Sequence, residues 1–167
     1  GSELVEPLCA LAARLGTPVA LFGATDAALD RAAARLEAAH PGLHVVLRLA
    51  PPFGFDPDGP VADDSIAYLR DSGARLCFTA LGAPKQERFA VRAHAVLPMV
   101  GFVSVGAGID FIAGTQIRAP IWVRRLAMEW LWRLLANPRR LARRYAACFA
   151  ALPRLTLESL RRRGSLV

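Results

Sequence analysis

Four short apolar runs, set between stretches of helical periodicity, constrain this chain more than any other feature. They are Val19-Ala20-Leu21-Phe22, Leu43-His44-Val45-Val46-Leu47, Leu76-Cys77-Phe78-Thr79-Ala80-Leu81 and Val100 to Val105. Runs of this kind suit buried parallel strands. Between them the spacing predicts helices over residues 3–15, about 27–40, 62–72 and about 86–97, the first marked by Leu4, Leu8, Leu11 and Leu15. Thr25-Asp26 is a ready N-cap for the second. Strands alternating with helices across short loops predict an α/β fold: an open, mainly parallel, Rossmann-like sheet with helices on both faces. Ligands of such sheets bind beyond the carboxyl ends of the strands. Those ends are Gly23-Ala24, Pro51–Phe55, Gly82–Glu87 and Gly106–Asp110. The candidate substrate-binding residues are therefore Gly23, Ala24, Pro84, Lys85, Gln86, Glu87, Gly106 and Asp110, with Arg118 just beyond.

The 167 residues are 54% hydrophobic and 21% charged, enough apolar material for a sizeable core and too much for disorder. The net charge of +7 is unevenly spread. Residues 1–116 hold 9 basic and 12 acidic side chains, a balance of −3, whereas 117–167 hold 12 arginines against Glu129 and Glu158, a balance of +10. An acidic body of residues 1–116 and a basic, Trp-rich helical appendage of 117–167 are the expected domains. Such asymmetry points to a polyanionic partner or a membrane surface. Cys9, Cys77 and Cys148 have no paired spacing, which argues against a disulfide framework or a zinc site and for a reducing cytosol. Glu3 and Glu6 precede any basic residue, unlike a secretory leader. The longest uncharged stretch, Ala93 to Ile109, falls short of the ~20 residues that span a bilayer.

Known site signatures are mostly absent. Gly106-Ala107-Gly108 follows a strand, but the third glycine of a dinucleotide loop would fall at Phe111. There is no Walker loop, metal-ligand pair or nucleophile elbow, and His40, His44 and His94 are scattered. Pro84-Lys85-Gln86-Glu87 could be a solvated helix start, with Glu87 near the positive end of the helix. Against that, Lys85 is the only lysine, and Gln86 can donate and accept at once, as uracil or sugar recognition requires. Asp110, between Ile109 and Phe111-Ile112, reads equally as a helix cap, a partner of Arg118 or a site carboxylate.

The chain from 117 onward reads as helices only. Pro120 and Asn137-Pro138 suit helix starts, and apolar residues recur along 121–135 and 138–152. Arg133, Arg140 and Arg143 lie among tryptophans without acidic neighbours. A solvated helical face would look similar, but arginine suits bidentate phosphate contacts, and a basic aromatic helix suits a membrane interface.

Together these blocks resemble the WecG/TagA/CpsF glycosyltransferases from about Ser2 to Phe149. The resemblance is carried by Gly82-Ala83-Pro84-Lys85-Gln86-Glu87, by Val105-Gly106-Ala107-Gly108-Ile109-Asp110-Phe111 with Ala113-Gly114, by Arg118-Ala119-Pro120, and by Glu129-Trp130 through Tyr145, with Pro51-Pro52-Phe53-Gly54-Phe55 in support. It implies an inverting enzyme, peripheral on the cytoplasmic face of the cell membrane, that moves a sugar from a UDP-sugar to a polyprenyl-diphosphate-linked saccharide with no bound metal or other cofactor. It also implies that Gln86 and Asp110 line the donor and acceptor pocket, and that Arg133, Arg140 and Arg143 reach the nucleotide diphosphate from an appendage that docks on the membrane. Members of the family carry a further segment ahead of the position matching Ser2, with a Thr-x-Asn-type stretch and the proposed general base. The chain therefore leaves the catalytic base unassigned, Glu87 and Asp110 being substitutes on chemistry alone. Two other readings compete. One is a catalytically silent module docking on a membrane or partner, whose open sheet edge leaves room for a homo-oligomer. The other, ranked last, is an RNA-binding arginine arm; no nucleic acid is expected as partner.

Overall fold

The run Val19-Ala20-Leu21-Phe22-Gly23 carries no polar side chain, and it becomes the buried centre of the sheet, every residue of it out of solvent. In the computed structural model the described residues are 2–116. A 3-10 turn, Ser2–Leu4, leads into α1 (Val5–Leu15); then come β1 (Val19–Gly23), α2 (Asp26–Ala39), β2 (Val45–Leu49), α3 (Pro60–Asp71), β3 (Leu76–Ala80), α4 (Lys85–Val96), β4 (Gly101–Ser104) and α5 (Gly108–Ala113). All four strands are parallel, in the order β2-β1-β3-β4. The fold is the expected α/β, Rossmann-like one.

Alternation along β1 builds a core on each face. Val19 and Leu21 pack with α1, α2 and α5 through Val5, Cys9, Leu29, Leu36 and Ile109. Ala20 and Phe22 pack with α3 and α4 through Ile66, Leu69 and Phe89. Each fully buried Leu or Phe contributes about 1.5–3 kcal/mol, so both faces are needed to hold the sheet. Ala28, Ala32 and Ala33 are the buried residues of α2 beside Leu29 and Leu36, and their small side chains let that helix ride close to the strands. Thr25 caps it as expected, its Oγ1 accepting from the Ala28 N–H at 3.3 Å.

Two elements depart from expectation. The second strand begins at Val45 rather than Leu43, because Leu43 closes the Pro41-Gly42 turn, donating its N–H to the His40 carbonyl at 3.0 Å. A segment to which the sequence reading assigns no element, Gly108–Ala113, forms α5, which packs Ile109 and Ala113 into the core containing α2. Six residues are too few for apolar periodicity to betray a helix. The helices expected over 121–135 and 138–152 lie outside the described residues.

Cys9 and Cys77 are buried as free thiols. Burial, with the Glu6 carboxylate as a lesser cause, pushes the Cys9 thiol from 9.0 to about 12; burial also pushes Cys77 up. The unfolded thiol ionises first, so the stability contributed by protonated Cys9 is complete below pH 9.0 and is lost as pH rises toward about 12. Cys9→Ala is expected to flatten part of that decline in urea unfolding free energy between those pH values. An identical slope in both proteins would contradict it.

Candidate functional site

Because every strand is parallel, the loops after β1, β2, β3 and β4 all leave from one edge of the sheet. The chain runs from β1 outward to β2, then returns to the opposite side of β1 for β3 and β4. The direction of winding thus reverses between β1 and β3. A crevice forms beyond the carboxyl ends of two such strands, because their connections depart to opposite sides. Gly23-Ala24 and Leu81-Gly82 are the chain's exits at that point.

Gly23 pairs with Ala80, and the Ala24 N–H donates to the Ala80 carbonyl at 3.3 Å. Gly23 takes φ +105°, and a Cβ there would sit 2.6 Å from the Ala80 carbonyl carbon. Only glycine lets the two exits close to this separation. Ala24 follows at φ +61°, a left-handed turn that swings the chain from β1 into the capped start of α2.

On the other side of the reversal, Gly82 turns the chain after β3, and a cis Ala83-Pro84 bond leads into α4. Gln86 is only 7% exposed. Its Oε1 accepts from the Gly106 N–H at 3.2 Å and its Nε2 donates to Glu87 Oε1 at 2.7 Å. One end of the amide therefore ties the β3 exit to the β4 exit. Beneath it, the Val105 N–H donates to the Thr79 carbonyl at 2.9 Å, extending the sheet by one more bond. Gln86 thus bridges two loops rather than presenting its whole amide to a ligand.

Asp110 lies in the first turn of α5, where the helix dipole favours a carboxylate. It is not the N-cap, a position held by Ala107. Its two oxygens accept from Thr115 Oγ1 at 3.2 Å and Gln116 Nε2 at 3.0 Å. The partners it needs are thus supplied from the turn that follows its own helix. The alternative partner, Arg118, lies outside the described residues, as do Arg133, Arg140 and Arg143.

Lys85 departs most from the sequence reading. Its Nζ donates to the Phe55 carbonyl at 2.6 Å. The next two turns of α4 continue the pattern: Arg88 pairs with Asp58, and Arg92 donates to the carbonyls of Pro57 at 3.0 Å and Gly59 at 3.3 Å and pairs with Asp63. Lys85, Arg88 and Arg92 stand at i, i+3 and i+7, one stripe of the helix. They clamp the Pro/Gly-rich loop between β2 and α3 against α4, while Phe55 packs its ring on Phe22 and Phe89 at 5.6 and 5.9 Å. The clamp leaves Phe53 fully exposed at the loop tip. The i, i+3, i+7 spacing of Lys85, Arg88 and Arg92, with Asp58 and Asp63 as their partners, was the available sequence signal, of which Lys85 alone stood out.

The structure accordingly brings Gly23, Ala24, Pro84, Gln86, Glu87, Gly106 and Asp110 to one edge of the sheet, joins Gln86 to Gly106, and turns Lys85 toward the loop. Among the described residues, no group of His, Cys, Asp or Glu is arranged to hold a metal ion, and no helix is long and apolar enough to cross a membrane. A four-stranded parallel sheet with helices around it, its winding reversed between β1 and β3, defines an α/β, Rossmann-like protein. The family model described as Glycosyl transferase WecG/TagA/CpsF family matches residues 1–165, and the chain belongs to that family. It is a glycosyltransferase of polysaccharide synthesis, with a sugar donor and an acceptor as substrates.

Proposed function

We propose that the enzyme transfers N-acetylmannosamine or a related hexose from its UDP-sugar to a polyprenyl-diphosphate-linked saccharide, with inversion, in bacterial cell-surface polysaccharide synthesis. The observation that carries this reading is the convergence of Gly23-Ala24, the Gly82–Glu87 loop, Gly106 and Asp110 beside the β1/β3 reversal. Backbone turns that approach closely leave room for a nucleotide, and an amide and a carboxylate supply hydrogen bonds to base or sugar hydroxyls. In this reading Pro84 and Lys85 shape the loop, Arg118 is a further substrate-binding residue, and residues 1–116 form the sugar-nucleotide domain.

Residues 117–167 form the second domain, with an arginine-rich composition suited to two tasks. Departure of UDP leaves charge on the diphosphate, and fixed cations aimed at it lower the barrier. Arg133, Arg140 and Arg143 take that role. The tryptophans and remaining arginines rest the enzyme on the anionic cytoplasmic face of the membrane, where a polyprenyl acceptor resides.

Calorimetry with UDP tests the assignment. Binding is expected on the intact chain and at least ~10-fold weaker in an Arg133/Arg140/Arg143→Ala triple variant, because charge-assisted contacts to phosphate contribute about 1.5–3 kcal/mol each. Equal affinity in the two proteins would remove the arginines from the diphosphate site.

A further inference from the structure

Glu87 is exposed, while its neighbour Gln86 is buried and carries a hydrogen bond at each end of its amide. The two ends are chemically different. The Gly106 N–H needs an acceptor, which within the amide only the oxygen can be; the Glu87 carboxylate accepts, and within the amide only the nitrogen can serve as its donor. We propose that Glu87 is a positioning residue. Its carboxylate sets the orientation of the Gln86 amide, and through that amide holds the Gly106 loop that launches α5 and Asp110.

Removing the carboxylate leaves the Gly106 N–H as the remaining contact of the two that hold this orientation. With the amide turned over, its NH2 group would face the Gly106 N–H, donor against donor, in a place where Gln86 is only 7% exposed. Buried donors left facing each other cost the desolvation of both. The Gly106 loop would then lose the tether that the Gln86 side chain gives it to α4. Gly106 itself sits at φ +54°, so the tether holds a turn that few residues adopt. Asp110, four residues on, would lose its fixed relation to the β3 exit. A helix-dipole role for Glu87 predicts none of this, since that interaction ends within the first turn.

The effect on ligand rests on the reading of this edge as the UDP site; the relay itself does not. The experiment separates them with two readouts: amide exchange at Gly106 by NMR, and UDP affinity by calorimetry. Glu87→Ala is expected to speed Gly106 exchange ~10- to 100-fold, as loss of a local protecting bond does, and to weaken UDP about tenfold. Glu87→Gln keeps an acceptor for Gln86 Nε2 and should hold Gly106 exchange within about threefold of the parent. The swap Gln86→Glu with Glu87→Gln also satisfies Gly106, because the new carboxylate accepts from both neighbours, so exchange there should stay slow. Parent-like Gly106 exchange in Glu87→Ala overturns the relay. Equal acceleration in Glu87→Ala and Glu87→Gln overturns it too, since the charge rather than the acceptor would then matter. Relay-like exchange with unchanged UDP affinity supports the relay and counts against the nucleotide site.

Discussion

Replacing Gly23 by alanine is expected to lower the melting temperature by on the order of 10 °C and to abolish measurable UDP binding at the same time. The new Cβ would lie 2.6 Å from the Ala80 carbonyl carbon and 2.7 Å from its oxygen, both backbone atoms of the neighbouring strand. Neither can swing aside as a side chain would. The φ of +105° adds a backbone penalty of about 1–3 kcal/mol for any residue with a Cβ. Overpacking a tight interior adds about 1–3 kcal/mol more. Each kcal/mol moves the transition by ~2–4 °C in a chain of this length. The functional loss exceeds what instability alone predicts. Relief of the clash must push β1 and β3 apart at their exits, which stretches the Ala24-to-Ala80 bond and misplaces the crevice. Thermal unfolding with parallel calorimetry checks both halves; a melting temperature within 2 °C of the parent would contradict the close approach.

Phe89→Ala has the second large expected effect, a loss of about 3–5 kcal/mol in urea unfolding with an unchanged denaturant slope. Phe89 is fully buried, with its ring 4.4 Å from Phe22, 5.9 Å from Phe55 and 6.3 Å from Phe102. It thus joins β1, the loop after β2, α4 and β4 in a single aromatic cluster. Without it the loop would be held by the Phe22–Phe55 contact and by Lys85, Arg88 and Arg92, and exposed ion pairs contribute only ~0–1 kcal/mol each. The loop is therefore expected to become sensitive to proteolysis between Pro51 and Gly59 in the same variant. Phe89→Leu should recover most of the stability by refilling the volume. A cost below ~1 kcal/mol for Phe89→Ala would mean that the ring cluster does not hold α4 in place.

Much of this was readable from the residues. The strands announced themselves because a parallel sheet covered on both faces needs unbroken apolar runs, and Val19–Phe22 is such a run. That the odd polar residues after the strands share an edge followed from parallel topology alone, once the strands point one way. Thr25 was legible as a cap because its hydroxyl and the alanines after it leave little else for it to do. What stayed hidden depended on long-range partners. Nothing local says that the lone lysine, at 85, reaches back to the carbonyl of Phe55, thirty residues earlier in the chain. Gln86 was singled out for an amide that donates and accepts. The structure engages that ability inside the protein, toward Glu87 and Gly106, and only the fold brings residues 86 and 106 together. Helix α5 was missed because six residues carry too little periodicity, and its stability comes from packing in the core with α2.

In the proposed function the carboxyl edge of the sheet, at the β1/β3 reversal, holds the nucleotide. A titration of the 15N-labelled chain with UDP, followed by amide shifts, tests it directly. The account predicts saturable shifts concentrated at Gly23, Ala24, Gly82, Gly106 and Asp110, with little change at Gly73, Arg75 and Gly101 on the opposite edge. Shifts confined to that opposite edge, or a spectrum unmoved by UDP, would contradict it.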